Sequence, residues 1–274
     1  MVLIQSAPSM AQRVRLAFSR RARQYDAAAS LQRAVAWRLA RHCRDLALPP
    51  GPRADLGAGT GLLSKALEQQ RPGCTLLRLD ACEALLKQGA RQERAGVAEP
   101  LDSAPQRLWD LNNGLPEDLG GAALLVSSFA LHWLEDPAAS LRQWCDALAP
   151  GGWLGLAVPT AGSFPQWRQA AAAAGVPCTA LALPELPRLL AVAAPRLELR
   201  LCSPLRYSRS GTSGGALLRP MGTVGAGTTD AAPLGVGEWR KLEAHWPQDR
   251  CGHKHLSWEV LLLIGRRPPK EPKR

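Results

Sequence analysis

The tightest constraint on how this chain folds is the run Asp55-Leu56-Gly57-Ala58-Gly59-Thr60-Gly61. It follows Pro49, Pro50, Gly51 and Pro52, and it precedes Leu62, Leu63, Ala66 and Leu67, whose spacing is that of one helical face. The pattern predicts a glycine-rich turn between a short buried strand and a helix. Glycines at alternate positions let the backbone bend tightly and let a ligand approach main-chain N–H groups with no Cβ in the way. Such a cradle suits a nucleotide-like cofactor, a purely structural turn being the alternative. The dinucleotide fingerprint needs G-x-G-x-x-G with a helix N-terminus aimed at pyrophosphate. Here the spacing is G-x-G-x-G preceded by an acid, and Asp55 would repel pyrophosphate and attract a cation or an ammonium group.

Strands and helices alternate without a break along the 274 residues, so one domain over 1–274 is expected. Phe18, Ala22, Tyr25 and Ala29, then Leu31, Val35, Leu39, His42 and Leu46, place two helices in a cap over 1–48. Cys74 to Asp80 reads as an apolar strand ending in an acid; a carboxylate there can accept both hydroxyls of a ribose, or it caps the next helix. A Pro-containing connection from Ala95 to Pro105 leads to a short strand at Arg107 to Leu111. Further strands are expected at Ala123–Ser128, Trp153–Val158, Arg196–Arg209 and His255–Ile264, and helices at 138–148 and 166–174. His132 is either a structural hydrogen bonder or a base, and Trp133 either core filler or a pocket wall. The fold class is α/β, a Rossmann-like seven-stranded, mostly parallel sheet with helices on both faces.

The formal net charge of +11 implies an acidic partner: nucleic acid, an anionic membrane surface or an acidic carrier protein. The basic run 266–274, with three prolines, reads as a disordered tail. Seven cysteines, widely spaced and without a C-x-x-C pair, argue against a disulfide framework or zinc ribbon and for a reducing cytoplasm. Cys251-Gly252-His253-Lys254-His255 has no second ligand pair and reads as a loop, so no metal is expected. No apolar run approaches the roughly 20 residues of a membrane span, and Met1 to Met10 lacks the order of a secretory signal.

The glycine run resembles D/E-x-G-x-G-x-G of the class I methyltransferases, whose donor S-adenosylmethionine carries both a sulfonium and an α-amino group. Two longer words narrow the resemblance. Phe18-Ser19-Arg20-x-Ala22-x-x-Tyr25-Asp26 followed by Leu31-Gln32-Arg33 is similar to the opening of the malonyl-[acyl-carrier protein] O-methyltransferases of biotin synthesis. Arg219, Met221, Gly225 and Ala226, and His245-Trp246-Pro247, match later words of that family, although Gly222 stands where it has a basic residue. Asp110 matches its adenine-side acid, with Trp109 in place of a glycine, and His132 replaces a frequent glutamine.

The resemblance implies a donor-binding half at 49–160 and a substrate half at 161–265, with a lid segment at 211–247. It implies cofactor contacts from Arg20, Asp55, Gly57, Ala58, Gly59, Gly61, Asp80, Asp110, Leu111 and Ser127. Substrate contacts would come from His132, Trp133 and Arg219, with Tyr25 as the catalytic side chain. The expected reaction is methylation of the free carboxylate of a malonyl thioester on acyl-carrier protein or coenzyme A, by a cytoplasmic monomer without nucleic-acid or membrane partners. Esterification removes a charge that apolar fatty-acid pockets would reject. The rivals are a class I methyltransferase acting on another small carboxylate or a quinone precursor, and a basic nucleic-acid-binding protein without catalysis.

Overall fold

The computed structural model describes residues 9–95, 104–224, 228–229 and 231–269. Two helices, α1 (Met10–Ala28) and α2 (Ser30–Cys43), precede the first strand. Ser9 starts α1 with a capping box, its hydroxyl accepting from Gln12 N while the Gln12 side chain accepts from Ser9 N. Then follow β1 (Arg53–Leu56), α3 (Leu62–Gln70), β2 (Leu77–Asp80), α4 (Glu83–Ala95), β3 (Gln106–Leu108), β4 (Ala122–Ser128), α5 (Pro137–Ala147) and β5 (Leu148–Pro159). The last part comprises α6 (Pro165–Ala174), α7 (Leu186–Ala193), β6 (Glu198–Gly211), α8 (Gly214–Thr223), α9 (Val236–Ala244) and β7 (Lys254–Arg266).

The strands form one sheet in the order β3-β2-β1-β4-β5-β7-β6. The first five run parallel, and β7 pairs antiparallel with both β5 and β6. The expected seven-stranded, mostly parallel sheet is therefore present. Chain winding reverses between β1 and β4, and ligands of open α/β sheets bind at that switch point, beyond the carboxyl ends of the strands.

Alternate residues of the central strands enter different cores, which is why these strands read as continuous apolar runs. Leu125, Leu154, Leu156 and Leu263 pack with Trp144 of α5 and Leu189 of α7. Leu124, Val126, Leu262 and Ile264 pack on the opposite face with Leu39 of α2 and Leu67 of α3. The insertion between β6 and β7 has a small core of its own, where Leu217, Met221, Leu242 and Trp246 meet Phe164 and Trp167 of α6. Helix α7 had no counterpart in the sequence reading, because it is short and lies among prolines.

One expectation changes at the C-terminal end. The basic run is folded at its start: Arg266 closes β7 with its guanidinium 5.9 Å from the Trp153 ring centroid, and Arg267 donates to the main-chain oxygens of Asp146 and Leu148. The remainder of that tail from 270 onward lies outside the described residues, as do 96–103 of the Pro-containing connection and Gly225 and Ala226 of the family word.

Beneath the glycine turn sits Arg78, a β2 side chain only 2% exposed, paired with Glu68 at 2.8 Å and with Glu93. Removing a buried charge strands its partners, here two carboxylates facing each other. Arg78→Met is expected to lower the unfolding free energy by about 3 kcal/mol, read by urea denaturation at pH 7. Glu68→Gln, at a position 26% exposed, should cost no more than about 1 kcal/mol.

Candidate active site

The chain leaves β1 through Gly57 (φ +74°), Gly59 (φ +58°) and Gly61 (φ +82°) before entering α3. Residues with a Cβ avoid this region. A Cβ on Gly57 would also stand 2.2 Å from that of Ala130. The loop's N–H groups are used internally. Gly57 and Ala58 donate to the Leu79 oxygen at 2.9 and 2.8 Å, Gly61 to the Ala58 oxygen at 2.8 Å, and Gly59 to Oδ2 of Asp80 at 2.8 Å. The expectation that the glycines offer these groups to a ligand is thus corrected: they permit the turn and its packing, and the turn forms no phosphate cradle.

Above the loop opens a cleft of about 1000 Å³, counted to its open mouth. Its floor is the carboxyl ends of β1, β2 and β4, and its roof is α1 with the start of α2. Three carboxylates line it, Asp55, Asp80 and Asp110, and among the described lining residues the one cation is Arg15. A protein with a large positive net charge therefore turns negative charge inward here.

The acids differ in what they already hold. Asp55 is 1% exposed, and its Oδ2 accepts from Ser64 N at 3.1 Å and Ser64 Oγ at 2.7 Å in the first turn of α3. Burial pushes its carboxyl up to about 6, against the pull of the Ser64 bonds and of Arg78. Asp80 accepts from Cys82 N at 2.7 Å and Gly59 N at 2.8 Å, so it ties the loop to the approach of α4. Each of its oxygens retains a second lone pair. Burial raises Asp80 to about 6 as well, with nearby Asp110 adding to the rise. Asp110 caps the helical turn Leu111–Asn113 through Asn112 N, and the Trp109 indole donates to Gly114 O at 2.7 Å while its ring walls the cleft.

Aromatic rings close the other side. Phe18 meets Tyr25 edge-on at 6.1 Å between centroids and Trp133 at 5.8 Å. Burial, then the charges of Asp80 and Asp26, hold the Tyr25 phenol well above its ordinary value, so it stays protonated and can donate. Thr60 Oγ1 donates to Asp26 Oδ1 at 2.5 Å, joining the roof helix to the loop. At the end of β4, Phe129 takes φ +56°, a strained setting for a bulky residue that recurs at binding sites.

Of the residues singled out in the sequence, Tyr25, Asp55, Gly57, Ala58, Gly59, Asp80, Asp110, Leu111 and Trp133 line the cleft. Five others do not. Arg20 is exposed on α1, with Arg15 at the cleft instead. Gly61 packs against the Arg78 guanidinium, beneath the loop. Ser127 donates to Leu56 O at 2.7 Å, pinning β4 to β1; its neighbour Ser128 lines the cleft with a buried hydroxyl that has no partner. His132 lies behind the wall against Phe129 and Trp133, and burial lowers it to about 3, which makes it neutral and unsuited to hold an anion. Arg219 is exposed on α8 and lines neither this cleft nor the chamber beside it. Phe18, Gln32, Trp109 and Ser128 were not anticipated as lining residues.

The sequence profile of a family described as "Methyltransferase domain" matches residues 54–154. Over that stretch the chain is similar to methyltransferase domains. It is similar to the biotin biosynthesis bifunctional protein of Bordetella avium, 33% identical over 229 residues that cover 82% of this chain and 46% of that protein. It is also similar to the malonyl-[acyl-carrier protein] O-methyltransferase of Alcanivorax borkumensis, 37% identical over 147 residues that cover 54% of this chain and 48% of the relative. The chain thus spans about half the length of these curated relatives. The chain shares its fold with the geranyl diphosphate C-methyltransferase of Streptomyces coelicolor, at TM-score 0.51 and 18% identity, covering 85% of this chain and 75% of that one.

S-adenosylmethionine fits the residues of this cleft. Its positive charge matches the lining carboxylates, and its ribose diol matches the remaining lone pairs of Asp80. Two of the acids would then titrate against binding. A carboxyl raised above its unfolded value leaves the free protein more stable as pH falls from above 6 toward 4, where the folded state binds protons the unfolded chain does not. Affinity for a cation carrying a diol should move the opposite way. The dissociation constant of S-adenosylmethionine, which carries the sulfonium, is expected to rise about tenfold for each acid that must ionise between pH 7 and pH 5, measured by calorimetry. Asp80→Asn should weaken binding more than tenfold at pH 7 and leave a shallower pH dependence.

Proposed function

We propose that this chain methylates the free carboxylate of a malonyl thioester carried on acyl-carrier protein, with S-adenosylmethionine as donor. The observation that carries this reading is the cleft itself: an acid-lined, aromatic-walled space roofed by the helix that bears Phe18, Tyr25 and Asp26 of the family word. The names of the Alcanivorax and Bordetella relatives support the same substrate and the biotin pathway.

A carboxylate acceptor has an ordinary pKa of about 4 and is ionised near neutral pH, so the protein needs no strong base. That fits a site in which His132 is neutral and walled off and Tyr25 stays protonated. When bound, the donor supplies an electrophilic methyl group to one carboxylate oxygen. Tyr25 can donate to the other oxygen, orienting the acid without quenching the attacking lone pair, as a two-pronged arginine would. Phe18, Phe129 and Trp133 keep water from the reacting charges, whose mutual neutralisation a dry site favours. Arg219, exposed on α8, has no part in this step.

The positive surface suits an acidic carrier. On α2 and β6, Arg38, Arg41 and Arg200 lie near enough to His42 to lower its pKa further after burial has done so. Such a patch speeds encounter with an anionic partner. All seven cysteines are free, which accords with a reducing cytoplasm. No helix among the described residues is long and apolar enough to cross a membrane.

Mass spectrometry of malonyl-carrier protein incubated with the enzyme and S-adenosylmethionine should register one added methyl; methylation of a different acid from a panel of free carboxylates, with the malonyl carrier untouched, would replace this substrate. Tyr25→Phe is expected to lower kcat about tenfold while leaving S-adenosylhomocysteine affinity unchanged, consistent with loss of one hydrogen bond to a charged group.

A further inference from the structure

Next to the cleft lies a second chamber of about 800 Å³, counted to its mouth, which none of the roles above occupies. It is built where the start of α2, the end of β6, α8 and β7 converge, and Leu31, Pro220, Met221, Val224 and Trp258 give it apolar walls. Gln32 lines both spaces, so the two adjoin at that side chain. The carboxyl end of β6 points the same way as those of β1 to β5, which puts the chamber at the same edge of the sheet as the cleft.

Of the polar side chains in the lining, Tyr207 and Arg209 bear most on what the chamber can hold. Tyr207, paired across the sheet with Trp258, has a buried hydroxyl with no hydrogen-bond partner. Buried polar atoms are rarely left so, and one beside an empty space is satisfied when a ligand arrives. Arg209, two residues on along the same face of β6, lines the chamber with Nη2 3.5 Å from Ser30 Oγ. A ligand here would present apolar length, a carbonyl acceptor and negative charge. Free malonate has no such length.

We infer that this chamber holds the thioester and the amide-bearing arm behind it while the malonyl carboxylate passes Gln32 into the cleft. Tyr207 Oη donates to a carbonyl of the thioester or the arm, the walls cover its methylenes, and Arg209 faces the phosphate at its far end. Tyr207 is then a substrate-binding residue that selects a thioester over a free acid. The assignment rests on the reading of the preceding subsection.

The test compares wild type with Tyr207→Phe and Met221→Trp, using malonyl-pantetheine and malonyl-carrier protein at saturating S-adenosylmethionine. Affinity for S-adenosylhomocysteine and thermal unfolding check that each variant is folded. Tyr207→Phe should raise KM for both thioesters roughly tenfold, with kcat near wild type and S-adenosylhomocysteine affinity unchanged. Met221→Trp should fill the chamber and abolish thioester turnover while still binding S-adenosylhomocysteine. Wild-type KM in both variants would overturn the chamber alone, as would a Tyr207→Phe variant that loses S-adenosylhomocysteine binding in parallel. A wild-type protein that binds S-adenosylhomocysteine yet turns over neither thioester would overturn the substrate reading itself, and this assignment with it.

Discussion

Four short hydrogen bonds from the glycine loop hold the centre of this protein together. Gly57, Ala58 and Gly59 donate to Leu79 and Asp80 at the end of β2, and Gly61 donates back to Ala58. Because these donors are spent within the protein, the surface above the loop is characterised by carboxylates and not by N–H groups. A phosphate would meet three carboxylates there against the one cation among the described lining residues, Arg15, whereas a cation finds Asp55, Asp80 and Asp110. The same bonds place Asp80 where it supports the loop and faces the cleft at once, so support and binding cannot be separated at that residue.

Much of this was legible before the fold was known. The acid and the alternate glycines located the turn, and the strand ending in Asp80 located its partner. The reason for the glycines was not legible, since it depends on Ala130 and Arg78 arriving from other strands. Period-two alternation separated Ser127 from Ser128 without telling which side of β4 would face the cleft. Arg20 is instructive in another way. It stands two residues from both Phe18 and Ala22, roughly 200° around the helix from each, so the helical phase already turned it outward while the matching word drew it in. The chamber around Tyr207 could not be read at all, because α2 and β6 are far apart in sequence and meet only through the folded sheet.

The distribution of charge follows from burial. Arginines cover the outside, while Arg78 is kept inside because Glu68 and Glu93 meet it beneath the turn. Asp55 and Asp80 are hydrogen-bonded by Ser64, Cys82 and Gly59 and form no such ion pair, so burial raises both, and a cationic ligand would supply the opposing charge. The acidic cleft and the basic exterior are therefore compatible, each suited to a partner of opposite sign.

Strand β6 has one further consequence. It spans Glu198–Gly211 at the rim of the sheet, with one side paired to β7 and a long row of main-chain donors and acceptors on the other. An uncovered ribbon of that length invites another copy to add on and extend the sheet. Pro204 interrupts the row, and Arg200, Arg206 and Arg209 place like charges along it, so two such rims repel before they can zip together. The strand that walls the chamber is thus also protected against fibre-like stacking.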